Sequence, residues 1–384
     1  MTRWRSGGFR GIPLGWRLLS GDRMRFFVTV TGVGLVTALM LFLAGVYGGV
    51  ETEANGYVAG RPVDAWVALN NSTNLIRSSS FLSSEWLGGL KNGDEVASVA
   101  PLLRLITTLS VRGKAYTAFV CGIDPSEAAT RPAVVRGPGT LGRGDILLDL
   151  ALARRTGASV GDLLLVQGHA YRVSGLTTGT NVVISQFTFV NLTDAQELLP
   201  VSFRRVVSFF LVTAKPGVSR RALVDRLRRN VEGGEPALVV FTADEFERNN
   251  LDEMRSGLLP MLATVVVFGG LVGTAVLTLL LYGSIIERRE DYALLKAIGA
   301  SRGFLCRLVL KQALVTVAWG FLVGLGAYVA AQPVVTFLVP VVAVSLSLPA
   351  CAVIAGISLT MAAFGVWIPL SRLEGIYPAE VFRA

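Results

Sequence analysis

Few side chains in this sequence are suited to catalysis, and those few are scattered. The single histidine, His169, has no Asp, Glu or Cys at the spacing of a proton relay or metal site, so we expect a solvated strand residue. Cys121, Cys306 and Cys351 lie in three separate parts of the chain, and Cys121 is expected to be buried and unpaired. No G-x-x-x-x-G-K-S/T phosphate loop occurs. The sequence therefore predicts no catalytic, metal or cofactor site, and a chain that does not itself hydrolyse ATP.

The composition is that of a membrane protein. Of 384 residues, 52% are hydrophobic and 16% are charged, whereas soluble domains carry about 25% charge. Asp, Glu, Lys and Arg are absent from 26–50, 257–286 and 312–371, and one helix needs about 20 apolar residues to cross the hydrocarbon core. The third stretch is long enough for two crossings. We therefore predict four transmembrane helices, at 26–50, 257–286, 312–332 and 350–370.

The positive charges predict how these spans are oriented. Segment 1–25 carries a net charge of +5 and the connection 287–311 a net charge of +3, and short basic segments stay in the cytoplasm. We expect a multi-pass protein of the cell membrane with segment 1–25 and the tail 371–384 inside, and with 51–256 and the loop 333–349 outside. The total charge of +9 is thus a topology signal, and no nucleic-acid partner is predicted.

The N-terminal region leaves alternatives open. A cleaved signal peptide has a hydrophobic core of about 7–15 residues, so the uncharged length of 26–50 favours an uncleaved span. Segment 1–25 mixes Leu and Trp with Arg, which is typical of an amphipathic helix in the headgroup zone. A flexible basic leader is the alternative for this segment.

Residues 51–256 are predicted to form an α+β domain, in one or two subdomains, because strand-like and helix-like patterns alternate. Region 71–94, rich in Ser, Asn and Gly, is expected to be a mobile excursion. The predicted strands are Val63–Leu69, Leu103–Val111, Ala115–Ile123, Leu163–Gln167, Tyr171–Leu176 and Val206–Thr213. The predicted helices are Asp149–Thr156, Asp194–Leu199, Ser219–Val231 and Thr242–Arg255. The predicted fold class is a helical membrane protein with a large extracytoplasmic α+β domain between spans 1 and 2.

The predicted spans contain no Asp, Glu, Lys or Arg, which disfavours an ion-driven mechanism. Three of them contain a G-x-x-x-G pair, which lets helix backbones approach closely, and we expect at least one pair to mark a helix–helix seam. These glycines are Gly45 and Gly49, Gly269 and Gly273, and Gly320 and Gly324.

Two further expectations concern helix ends. The helix at Thr242–Arg255 is expected to continue outward from the second span as a stalk, with Pro260 either kinking it or beginning the span. Gln332 is expected to close the third span, because Pro333 follows it.

The sharpest local pattern is Glu287–Ser301, between the second and third spans. Its charged start, its apolar positions and Gly299 predict a short amphipathic helix with a glycine stop. Ser301 suits the N-cap of the next helix. A two-helix elbow with exposed apolar residues is suited to docking into a groove of a partner; an interfacial connector without a partner is the alternative.

At these residues the chain resembles the FtsX-like, MacB-type permeases of ABC transport systems. Leu294-Leu295-Lys296-Ala297-Ile298-Gly299-Ala300-Ser301 is similar to their coupling segment, and Gly122-Ile123-Asp124-Pro125 and Val160-Gly161-Asp162 resemble features of their outer domain. The order of one span, a large outer domain and three more spans is also theirs. The coupling residues implied are Glu287, Arg288, Glu290, Leu294, Leu295, Lys296, Ile298, Gly299 and Ser301.

This resemblance implies a dimer of permeases, as a homodimer or a heterodimer, bound to two ABC ATPase subunits that carry ATP and Mg²⁺. It implies an export permease in which nucleotide-driven closure is passed along the helices to the outer domain, a mode called mechanotransmission. Haem, lipid, lipoprotein, peptide and drug substrates all remain open. The alternative is an FtsX-type signalling scaffold that transports nothing and activates an outer partner such as a cell-wall hydrolase.

Overall fold

The computed structural model describes residues 23–77, 80–182, 185–231, 237–287, 290, 294–295 and 297–373. The predictions for residues 1–22, for the tail from residue 374 and for Arg288 and Lys296 lie outside these residues. The chain forms two compact units. We call the described residues of Met1–Val46, Ala263–Val334 and Leu346–Ala384 the helical unit, and those of Tyr47–Leu262 and Val335–Ser345 the outer unit.

The helices and strands alternate along the chain. In the described residues the helices are α1 (Arg23–Ala54), α2 (Trp86–Lys91), α3 (Leu150–Thr156), α4 (Leu192–Glu197), α5 (Arg220–Val231), α6 (Ala243–Ser256), α7 (Leu258–Ile286), α8 (Arg302–Leu338) and α9 (Leu348–Leu373). The strands are β1 (Ala65–Leu69), β2 (Leu82–Ser83), β3 (Val96–Val111), β4 (Lys114–Ile123), β5 (Ala133–Arg136), β6 (Asp145–Asp149), β7 (Leu163–Val166), β8 (His169–Thr178), β9 (Asn181–Val182), β10 (Ser185–Asn191), β11 (Val206–Val207), β12 (Phe209–Ala214) and β13 (Leu238–Thr242).

Three of the long helices have the length and composition of membrane spans. They are Phe26–Ala54 within α1, Leu259–Leu280 within α7 and Gly303–Leu338 within α8. The apolar stretch found in α9, Leu348–Ala363, is shorter. The fourth predicted span therefore stays a prediction, although a helix is present there.

The helix that contains the predicted third span extends beyond 312–332 at both ends. Helix α8 begins at Arg302, as the predicted N-cap at Ser301 requires, and continues through Pro333 to Leu338, so Gln332 does not end this helix. The limits 312–332 for the span itself stay a prediction. Proline removes one backbone hydrogen bond, but apolar surroundings offer the flanking peptide groups no better partner than the helix. The outer loop between α8 and α9 is therefore 339–347, shorter than the predicted 333–349.

The predicted stalk is interrupted once. Helix α6 ends at Ser256, and Gly257 has φ −99° and ψ −81°, outside the helical range, before α7 begins at Leu258. Pro260 lies in the first turn of α7, where a missing N–H leaves no helix bond unmade. Of the two roles considered for Pro260, the one at the beginning of the helix is the one observed.

In the part of the outer unit that the structure describes, the large sheet contains 11 strands and contributes to the two hydrophobic cores that follow. Its order is β13-β1-β12-β3-β4-β10-β6-β8-β5, with β7 pairing β3 and β8, and β9 pairing β10. The first half of β3 contributes Val99 to a core closed by Leu223 and Leu227 of α5. Its second half contributes Leu103 and Leu109 to a core that includes α3 and α4. The α+β prediction is confirmed, with one 16-residue strand passing through both cores.

Local signals place several of these elements. The Asp149 carboxylate accepts from the Ala151 N–H at 2.7 Å at the start of α3, and Gly157, at φ 71°, ends that helix. Thr242 and Glu245 form a capping box at the start of α6. The predicted run Val206–Thr213 is observed as two strands, β11 and β12.

The expectation of a mobile excursion at 71–94 is wrong in the described part of that region. Leu75 and Ile76 are almost fully buried, and the region also contains β2 and α2. The Asn74 side chain accepts from the N–H groups of Ile76 and Arg77, which closes a tight turn. The prediction failed because it rested on the polar composition of the region and gave no weight to Leu75 and Ile76, whose burial fixes the segment.

Candidate functional site: the inner connection and the helix seams

The described residues of 287–301, which connect α7 to α8, include the elbow that the sequence predicts. Ile298 N–H donates to the Leu294 carbonyl at 3.1 Å, which gives one helical turn. Gly299 follows at φ 95°, a left-handed conformation that favours glycine. The Ser301 hydroxyl then accepts from the Phe304 N–H at 3.3 Å, and α8 begins at Arg302. The helical turn therefore ends at Ile298, and α8 begins four residues later at Arg302.

The elbow has one packed face and one open face. Leu295 packs against a core in the helical unit that includes Leu305 and Val309. On the other face the side chains of Leu294 and Ile298, one turn apart, are 55% and 75% exposed. Such a pair of exposed apolar side chains at helical spacing can enter a groove of another protein. Glu287 and Glu290 are also exposed.

The seam between α1 and α8 is closed by glycines. A Cβ added to Gly320 would lie 2.3 Å from Val33 Cγ1, and one added to Gly324 would lie 2.7 Å from the Gly34 carbonyl oxygen. A Cβ at Gly34 would in turn meet Val323 at 2.8 Å. These separations are shorter than any real carbon contact, so the two backbones approach as only glycine allows.

A second seam joins α1 to α7. An added Cβ at Gly269 would lie 2.6 Å from Leu43 Cδ1, and one at Gly273 would lie 2.9 Å from Val36 Cγ1. Gly45 and Gly49 are buried on α1 itself. Helix α1 is therefore the central element against which both α7 and α8 pack.

The outer end of α1 is tied to α6 by a buried amide. Asn250 on α6 donates to the Ala54 carbonyl at 3.1 Å and accepts from the Leu75 N–H at 2.9 Å. Arg255 on α6 also pairs with Glu51 on α1 at 2.8 Å. Because α6 immediately precedes α7, these contacts link the outer ends of the first two spans. The sequence gives no signal for them, since the partners lie about 200 residues apart.

The residues considered for chemistry do not meet. His169 is exposed on β8. Burial raises the pKa of the Cys121 thiol to about 12, although Arg104 and Arg61 act to lower it, so this thiol stays protonated at neutral pH. Among the described residues no three His, Cys, Asp or Glu side chains are grouped as metal ligands would be.

Comparisons with known families cover most of the chain. The sequence model of the MacB-like periplasmic core domain matches residues 26–230, and that of the FtsX-like permease C-terminal region matches residues 263–378. An uncharacterized ABC transporter permease of Mycobacterium bovis is 25% identical over 373 residues, covering 94% of this chain and 96% of that relative. One from Mycobacterium tuberculosis is 23% identical over 367 residues, with the same coverage of both chains.

Two solved structures are similar to part of the chain. The periplasmic region of MacB from Actinobacillus actinomycetemcomitans has a TM-score of 0.39 at 14% identity, covering 50% of this chain and 94% of that one. The extracellular domain of the ABC-type transporter YknZ from Gram-positive bacteria has a TM-score of 0.34 at 16% identity, covering 47% of this chain and 98% of that one.

Proposed function

Since this chain belongs to the MacB/FtsX family of ABC transporter permeases, we propose that it is the membrane subunit of an export system driven by a separate ATPase. The observation that carries the proposal is the open face of the elbow, where Leu294 and Ile298 are exposed. Apolar side chains in this position fit a groove on an ATPase subunit. ATP and Mg²⁺ then belong to that partner.

Each residue of the elbow has a proposed part in coupling. Leu294 and Ile298 enter the groove, while Leu295 holds the turn against the helical unit. Gly299 and Ser301 set the angle between the turn and α8. Four charged residues of this segment have a proposed part in contacting polar groups of the ATPase; they are Glu287, Arg288, Glu290 and Lys296.

The helix seams suggest how movement travels outward. When two ATPase subunits close on nucleotide, the elbow moves with them and displaces α7 and α8. Both helices pack closely on α1 at glycines. Because no long, flexible side chain separates the backbones there, a displacement of α7 or α8 also displaces α1. The linkage between α1 and α6 then delivers it to the outer unit. The working unit is a dimer of permeases with four spans each, and the cargo is hydrophobic or amphipathic.

Reconstitution tests this function. The permease and its ATPase are placed together in lipid nanodiscs, and the ATP hydrolysis rate is measured with haem, a lipid, a lipopeptide and an amphipathic drug. We expect at least one amphiphile to raise the rate about two-fold or more. A rate that responds to none of them but rises with an outer protein partner would contradict export and support a signalling scaffold.

A further inference from the structure

The outer loop between α8 and α9, residues 339–347, is held by the outer unit. Residues Val335–Ser345 belong to the same compact unit as the large sheet, whereas most of α8 and α9 belongs to the helical unit. The loop itself carries no charged residue. It is therefore a segment whose two ends lead into membrane helices and whose middle is part of the outer unit.

One buried amide fixes the middle of the loop. The Asn181 side chain, 6% exposed at the start of β9, donates from Nδ2 to the Val341 carbonyl at 3.0 Å. Its Oδ1 accepts from Gln186 Nε2 at 3.0 Å, and Gln186 is also buried. The bond from Gln186 sets the orientation of the Asn181 amide, because only a carbonyl oxygen can accept it. The Nδ2 donor is thereby directed at the loop.

Backbone contact with α1 holds the other half of the loop. A Cβ added to Gly49 would lie 2.1 Å from the Ala343 carbonyl oxygen, and one added to Gly48 would lie 2.6 Å from the Ser345 carbonyl oxygen. Val344, between these two carbonyls, is 8% exposed. The loop is thus seated against the outer turn of α1 at a distance that only glycine permits.

We propose that this loop is a strap that joins α8 and α9 to the outer unit, with Asn181 and Gly49 as its positioning residues. A displacement of α8 or α9 then pulls on β9 and on the outer end of α1 directly, in addition to the route through α1 and α6. The strap rests on the proposed function, because it transmits movement only if the ATPase produces it. It assigns a role to a short neutral loop whose sequence alone shows no functional motif.

The first test asks whether Asn181 holds the loop, and it needs no ATP. Hydrogen exchange of the amides in 339–347 is measured in the full-length permease in nanodiscs. We expect Asn181→Ala to raise their exchange rates about ten-fold. Asn191→Ala is the control, because Asn191 also donates from Nδ2 to a backbone carbonyl, that of Leu141 at 3.3 Å, and caps α4 as well. We expect Asn191→Ala to destabilise the outer unit at least as much as Asn181→Ala does, and to leave the hydrogen-exchange rates of 339–347 unchanged.

The second test asks whether the strap transmits movement. An environment-sensitive thiol probe is attached to His169→Cys in a chain carrying Cys306→Ser and Cys351→Ser, and its fluorescence is followed on ATP addition to the full complex. We expect Asn181→Ala to reduce the ATP-driven change at least two-fold while ATP hydrolysis continues. Gly49→Val, which pushes the loop away from α1, gives the same loss, and Asn191→Ala does not.

The outcomes separate the strap from the proposed function. Wild-type exchange rates in Asn181→Ala would overturn the contact itself. A freed loop with an undiminished ATP response would overturn the transmitting role. A wild-type complex that shows no ATP response at all would overturn the proposed function and the transmitting role together, while the exchange rates would still establish whether Asn181 anchors the loop.

Discussion

We expect the permease carrying both Leu294→Asp and Ile298→Asp to lose its association with the ATPase, so that no ATPase co-purifies with it. Both side chains are largely exposed on one face of the elbow, so the change leaves the packing of the helical unit intact. In the complex each aspartate would bury a charge in an apolar groove. Loss of a central apolar contact costs about 2 kcal/mol, or about 30-fold in Kd, and the buried charge adds to this. The measurement is the amount of ATPase that co-purifies with the tagged permease.

Val201→Asp is the matched control for this experiment. Val201 is 76% exposed, close to the 75% of Ile298, but it lies in the outer unit. The same chemical change there leaves ATPase association at the wild-type level. A normal complex with the double elbow variant would remove the coupling role that we assign to Leu294 and Ile298.

Replacing Gly324 by valine will separate α8 from α1. The first added carbon meets the Gly34 carbonyl oxygen at 2.7 Å and Thr37 Cβ at 2.8 Å, and the backbone oxygen cannot rotate away as a side chain could. Overpacking typically costs about 1–3 kcal/mol, and a clash with a fixed backbone atom belongs at the upper end of that range. We expect the apparent Tm of the purified permease to fall by roughly 5 °C or more. Thermal unfolding in detergent, followed by size-exclusion chromatography, measures the shift.

The same helix provides the control. A Cβ at Gly326, two residues along α8, meets no heavy atom within 4 Å. Gly326→Val therefore changes the sequence equally and the packing hardly at all, so its Tm stays within about 1 °C of the wild type. Equal losses of stability in the two variants would show that helix propensity, and not the seam, governs the effect.

Features with local causes could be predicted from the sequence. Asp149 and Gly157 bound α3 because a side-chain acceptor and a left-handed residue act within one turn of the backbone. The elbow is predictable for the same reason, since Gly299 ends one turn and Ser301 starts the next helix. Charge-free stretches identify the long apolar helices because the bilayer imposes one length on all of them.

Features with distant causes could not be predicted. Asn250 and Asn181 look like ordinary surface amides in the sequence, and only the fold brings each to its carbonyl partner. Pro333 marks a helix end by local rules, yet α8 continues through it because the apolar surroundings favour the helix. The candidate site is thus half predictable: the elbow follows from its own residues, whereas the linkages to the outer unit depend on tertiary contacts.

We propose that the elbow and the outer unit lie on opposite sides of the membrane, with the elbow facing the ATPase. Thiol labelling in intact cells tests it most directly, with His169→Cys and Ile298→Cys made singly in a chain carrying Cys306→Ser and Cys351→Ser. Both positions are exposed, and the remaining Cys121 is buried and protonated. A membrane-impermeant maleimide should label the variant at 169 at once and the variant at 298 only after the cells are permeabilised. Labelling of both positions from outside would contradict the account.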